Sequence, residues 1–478
     1  MLTKKFHPAK FLPVVLGIMA ACHGVEALSQ TAGEVEFSRG VGFAQAPGQV
    51  PRTLGKGLPL KEGDRLTTSD GSSAIIKLMD GTRMTVRPNS EIVLQQYQFK
   101  ENADNNSMVM QLLRGGLRAV TGLIAKGSPN AARIQTNTAT IGIRGTDFDA
   151  RICAKDCGEE SAKIKETSRP NSIQASARVV SLQGGQMSAM DSTGQKRMLV
   201  DGGSIYPGDL VETTANTKAV LAFRDESRVT LAATTRFRVD NFVYDDKNPT
   251  EGRFLVSLLR GSVRALTGLI AKANNRNVGF STSTATIGVR GTGLDLVCTG
   301  ACAVEPLAFD DSEPPSPLLQ KVQSQTPSGD SGLAVFAWLG SITVQSGQTA
   351  LQVLQAGQGL IITPAGIRAV TIAPSIDGPR PDTVNVPSKL FSSQAVADTQ
   401  EGLFVVVRDG HISVASAGEV LNLGKGETGV VGNNGQVSRP LEVPKFLQFD
   451  RIVLPNINNP AGASLINETR ARNANQCT

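Results

Sequence analysis

The chain has 478 residues, a formal net charge of +6 and an apolar share of 40%, which suits a folded rather than a disordered protein and leaves room for two to four domains at roughly 100–200 residues each. With 49 Gly and only 4% aromatic residues, short strands and tight turns are expected. Basic residues are spread singly, with no block of five, which argues against nucleic-acid binding.

In chain order, residues 1–27 read as a signal peptide. Lys4, Lys5 and Lys10 precede an uncharged apolar run at 11–21, and Val25-Glu26-Ala27 fits cleavage before Leu28. A rival reading takes Met19-Ala20-Ala21-Cys22 as a lipoprotein box with Cys22 acylated. Either route sends the protein out of the cytoplasm, to the periplasm first and alternatively to the outer membrane or the medium. No later stretch is apolar and long enough for a membrane helix.

A repeat follows. "LLRGGLRAVTGLIAK" at 112–126 returns as "LLRGSVRALTGLIAK" at 258–272, and "TATIGIRGT" at 138–146 returns as "TATIGVRGT" at 284–292. Both offsets are 146 residues, so one module is present at 33–157 and again at 178–302. In the first copy Ile76 and Leu78 alternate with Lys77, Asp80-Gly81 turns the chain, and Met84 and Val86 continue the alternation. This predicts a β-hairpin. The second copy keeps Leu221, Phe223, Val229 and Leu231 but has Asp225-Glu226 at the turn, so the turn type need not persist. A shorter strand–Gly–strand–turn–strand unit starts near Glu34, Arg178, Val335 and Val405. The expected layout is a first module at 28–175, a second at 176–302, a linker at 303–332, a small β unit at 333–374, a linker at 375–402, another β unit at 403–444 and a tail at 445–478.

The duplicated nonapeptide puts β-branched residues at alternate places and Gly at two corners. It predicts a strand entering a tight corner, with Gly142, Gly145, Gly288 and Gly291 allowing the backbone its bends. Thr146 and Thr292 belong to the same structural motif. Arg144 and Arg290 are expected to reach backbone carbonyls or a carboxylate such as Asp147 or Asp295.

Taken together, "GD…T" at the start, "DG" in the hairpin, "L…G" before the middle strand and "TATIGIRGTDFDA" at the end resemble the FecR domain, over about 63–150 and about 208–297. The resemblance implies an all-β fold of tandem β-solenoid or β-roll modules acting outside the inner membrane. FecR-type regulators place an anti-sigma segment ahead of a membrane helix. Only ten residues precede the apolar run here, so the expectation is the envelope-side module without that segment.

No catalytic set is apparent. His411 is the one histidine beyond the signal segment and reads as an exposed turn residue; a Ser-His-Asp triad has no other imidazole to use. Asp147 and Asp149 share a strand face but are not both kept in the second copy, so a solvated strand end is expected. Cys153 and Cys157 match Cys298 and Cys302 at equivalent places in separate modules. In an oxidising compartment this favours two local disulfides over a shared four-thiolate zinc site. Cys477 is left odd. The expectation is therefore a non-enzymatic envelope protein without cofactor or metal, used for binding, sensing or scaffolding. Its partner would be an envelope protein or glycan, not nucleic acid. The alternative is a structural or adhesive surface protein made of stacked β modules.

Overall fold

A computed structural model describes residues 31–103, 105–127, 131–303, 331–347 and 349–450. The signal segment with Cys22, most of the 303–332 linker, and the end of the tail with Cys477 lie outside the described residues.

The protein is all-β and forms two large curled sheets. In the first, Thr31–Arg39 pairs with Ser73–Leu78, which turns into Arg83–Val86. That strand pairs with Gly116–Val120, which joins the C-terminal half of the long strand Thr140–Cys153. The other limb runs through Arg65–Thr68, Glu91–Gln98 and Ser107–Arg114 to Ala132–Gln135. Ala132–Gln135 joins the N-terminal half of the same long strand, on the same edge. The second copy repeats the arrangement up to its own long strand, Thr286–Cys298.

The hairpin turn survives the replacement at Glu226. Gly81 has φ 85° and Glu226 φ 68°, so a non-glycine residue carries the left-handed conformation. The turn aspartates explain why. Asp80 accepts hydrogen bonds from the Thr82 amide at 3.2 Å and the Thr82 hydroxyl at 2.9 Å. Asp225 does the same with Ser227, at 3.1 and 2.8 Å. Each turn also receives the entrance of a short helix, Leu123–Gly127 or Leu269–Ala273. The amides of Leu123 and Leu269 donate to the carbonyls of Asp80 and Asp225, which stand in for the acceptors a first helical turn lacks.

The small β units do not stand alone. Leu333–Gln345 pairs with Thr286–Cys298 along its length and brings Gln352–Gln355, Gln358–Thr363 and Gly366–Val370 with it. The last unit crosses back. Gly402–Ser416 pairs with Thr140–Cys153 of the first module, from Cys153 opposite Gly402 to Thr140 opposite Ala415. Glu419–Gly424, Thr428–Gly432 and Val437–Ser438 extend that sheet. The molecule thus has a first body, 31–153 with 402–438, and a second, 177–298 with 333–370.

Burial follows the period-two alternation of strands. Leu403, Val405, Val407, Ile412 and Val414 enter the core of the first body, each at most 1% exposed. Phe404 and Val406 point the other way, into a small cluster with Cys153, Cys157, Phe446 and Leu447. A strand buried on both faces cannot be a detachable ornament: each such side chain contributes about 1.5–3 kcal/mol by its burial. The segment between the two small units is tied down as well. Arg228 Nη1 donates to the carbonyls of Pro381 and Val384, and the Thr230 hydroxyl to that of Pro379. Arg380 lies over the Trp338 ring at 4.5 Å.

Candidate functional site between the two bodies

The nonapeptide begins with a turn in which the Thr136 hydroxyl accepts from the amides of Thr138 and Ala139. The chain then enters the long strand, which does not break at a corner but bulges. Pairing shifts between Arg144, opposite His411, and Asp147, opposite Asp409. Gly145 has φ 53° and its counterpart Gly291 φ 62°. The strand facing each bulge also carries a left-handed glycine: Gly410, φ 89°, faces Gly145, and Gly340, φ 67°, faces Gly291. Thr146 locks the seam, its amide donating to Thr121 Oγ1 at 2.7 Å and its hydroxyl to the His411 carbonyl at 2.9 Å. Thr292 repeats both bonds, to Thr267 at 2.9 Å and to Ser341 at 2.8 Å. Gly142 and Gly288 sit earlier in the strands, opposite Ser413 and Thr343. The nonapeptide is thus the seam on which each module receives its extra β unit.

The arginines behave differently from the expectation. Arg264, not Arg290, binds Asp295, at 2.8 and 2.9 Å. Arg408, not Arg144, binds Asp149, at 2.7 Å. Asp149 is not a solvated strand end: it is 1% exposed, with Arg118 and Arg87 also within 4 Å. Asp147 keeps one shielded oxygen without a partner. Burial raises its pKa, with the nearby Arg118 and Arg408 acting in the opposite direction. Arg290 is exposed, whereas Arg144 Nη1 is shielded and unpartnered. The two cysteine pairs close separately, Cys153–Cys157 and Cys298–Cys302.

A buried ion triad joins the bodies. Arg178, on the first strand of the second module, donates twice to Glu427 at 2.7 Å. Glu427 belongs to the last β unit and also accepts from Arg439 Nε at 3.1 Å. All three side chains are fully buried. Most remaining donors are used: Arg178 Nη1 reaches Ser204 Oγ, and Arg439 reaches the carbonyls of Ser392 and Asn422, while Arg178 Nε is left without a partner. Asn171, buried in the segment between the modules, accepts from the Thr428 amide and donates to the carbonyls of Thr428 and Pro440. The Tyr206 hydroxyl accepts from the Lys425 amide at 2.9 Å. The sequence signal for this clasp is small but present: the third unit has Gln358 where the fourth has Glu427.

Beside the clasp lies a cleft of about 790 Å³. Arg144, Asp409, Gly410 and His411 form the side belonging to the first body, and Asp191, Arg197 and Tyr206 the other. His411 is not an exposed turn residue. It lies within the strand Gly402–Ser416, and both ring nitrogens are shielded and unpartnered, so what it exposes is carbon or main chain. Burial, then the charges of Arg178 and Arg144, push its pKa down to about 3, with Asn422 acting weakly the other way. The ring is therefore neutral at ordinary pH. Among the described residues, no group of three His, Cys, Asp or Glu is placed to hold a metal, and no helix is long and apolar enough to cross a membrane.

The sequence model of the family described as "FecR protein" matches the chain twice, at 64–161 and 209–305. A search of curated proteins finds no match. Among solved structures, the chain is similar to two crystal structures of a candidate anti-sigma factor from Parabacteroides distasonis ATCC 8503, at 1.65 and 2.50 Å resolution. Each shows 15% identity, a TM-score of 0.23, and coverage of 34% of this chain and 58% of the other. The chain thus spans rather more than half of that protein's length.

Proposed function

We propose that this chain, which carries two FecR domains, is an exported, non-enzymatic sensing module of the cell envelope whose output passes through a protein partner. The observation that carries the reading is the way the two copies are assembled. Each is completed by its own β unit, and a buried Arg–Glu–Arg triad clasps the completed bodies around a solvent-open cleft. A geometry that fixes two modules about a cleft suits binding. Two disulfides favour an oxidising compartment, as does the basic and apolar start of the chain. The working units are 31–153 with 402–438 and 177–298 with 333–370, rather than consecutive stretches of chain.

Crosslinking in cells at native expression tests this. A photoreactive amino acid at Ser192, on the cleft rim, should give one discrete adduct with another protein. The same group at Gln352, on a remote strand, should not. Adducts at neither position would overturn the reading, and a ladder of multiples of this chain would favour a stacked, adhesive role.

A further inference from the structure

Arg144 and His411 line both the main cleft and a smaller recess of about 280 Å³ that Asp201 and Ser413 also line. Their shielded nitrogens are unsatisfied: Nη1 of Arg144 and both ring nitrogens of His411 have no hydrogen-bond partner. A guanidinium only donates and stays charged, and burying it without a counter-charge is costly. Burial is what lowers the Arg144 pKa, with no carboxylate offsetting it.

Asp201 lines the recess, where burial raises its pKa, and the acids of the main cleft are already engaged. Asp209 is held by Arg197 and by the Tyr206 amide. Asp409 lies 3.3 Å from Lys425. Asp191 accepts from Thr193 and the Gln195 amide within its own turn. Of the five cations on the lining, Arg197, Lys425 and Lys196 are paired with Asp209, Asp409 and Glu212, which leaves Arg144 and Lys126 without a carboxylate. The volume lies in the range of small-molecule sites, roughly 300–1,000 Å³. The feature belongs to one copy only. In the second body Arg290 is exposed and Ser341 stands opposite it, where the first body has His411.

We propose that the cleft binds a small anion carrying a carboxylate or phosphate group. The half-buried Arg144 guanidinium pairs with that group, and Lys126, also on the lining, draws the anion in. The proposal goes beyond the sensing role and does not depend on it, because binding is read on the purified protein without any partner.

Isothermal titration of the full chain with malonate and with inorganic phosphate tests it, with uncharged malonamide as control. One saturable site is expected for at least one anion, weakening as salt rises, with no heat from malonamide. Whichever anion binds more tightly distinguishes a carboxylate from a phosphate ligand. Arg144→Gln should weaken binding by about tenfold or more, the scale of a lost charge-assisted hydrogen bond. Should that variant fail to fold, Lys126→Glu, on an exposed side chain, should weaken binding and flatten its salt dependence. No binding of either anion, equal binding of malonamide, or unchanged affinity in a folded Arg144→Gln protein would each sink the proposal.

Discussion

At the scale of residues, the paired glycines at the seam give an ordered set of expectations. A Cβ on Gly145 would meet nothing nearer than Lys126 Cγ at 3.5 Å, so Gly145→Ala should cost only the left-handed conformation, about 1–2 kcal/mol. A Cβ on Gly410 would run into the carbonyl oxygen of Gly145. Gly410→Ala should therefore cost more than Gly145→Ala, and chemical denaturation of the full chain would show the order. An equal loss in both would mean the contact, rather than the conformation, had been misjudged.

Glu427 sits between two buried guanidiniums. Glu427→Ala should cost about 3–5 kcal/mol, since it leaves buried charges unpaired. Glu419→Ala breaks only the exposed pair with Lys389 and should stay within about 1 kcal/mol.

His411 adds a pH dependence. Its folded pKa of about 3 lies below the ordinary 6.5. The unfolded chain therefore takes up a proton that the folded chain refuses, and stability is full above pH 6.5 and falls as pH drops towards 3. Between pH 7 and pH 5 the loss from this one group is about 2 kcal/mol. Urea midpoints of the wild type and of His411→Asn should diverge over that window. Parallel curves would show that the ring is not sealed.

Among the elements, the Gly402–Ser416 strand is the one on which most depends. A chain ending at residue 401 would leave the outer edge of Thr140–Cys153 unpaired and remove Leu403, Val405, Val407, Ile412 and Val414 from the core. The first body should then lose its cooperative melting transition, while the second, completed by Leu333–Gln345, keeps its own. Calorimetry and limited proteolysis of the truncated protein would separate the two, and a truncated chain that kept both transitions would show the bodies to be complete without the return. The disulfides should matter less. Each closes a four-residue separation, for which loop entropy gives about 2 kcal/mol at most.

These elements also mark what the sequence could tell. The hairpin around Asp80, the duplicated module and the cysteine pairs were legible because each leaves a local signature: alternation, identity at a fixed offset, equivalent spacing. The return of the last unit to the first module was not. It joins strands about 250 residues apart, and period-two alternation says that a strand is buried without saying against what. Asp149 was misread for the same reason, since its partner Arg408 arrives from the far end of the chain. The cleft was out of reach too, because it exists only once the two bodies are clasped.

For the whole molecule, export has a direct check. Intact mass of the protein recovered outside the cytoplasm should correspond to a chain starting near Leu28. A diacylglyceryl adduct on Cys22 would show the lipoprotein route instead.

The return of the chain also sets a clock. The Thr140–Cys153 strand is made long before Gly402–Ser416, the partner of its outer edge. On the order of 250 residues of chain must follow before that edge is paired. During the wait Leu333–Gln345 emerges first, carrying a glycine, Gly340, that matches the same kind of bulge. A feature that the last unit brings to this edge is Arg408 for Asp149, where the earlier unit has Trp338. That ion pair should therefore select the partner as well as fasten it. It should favour the late strand over the early, similar one. Were the late strand to come from a neighbouring copy, the same ion pair would form, and two chains would each finish the other.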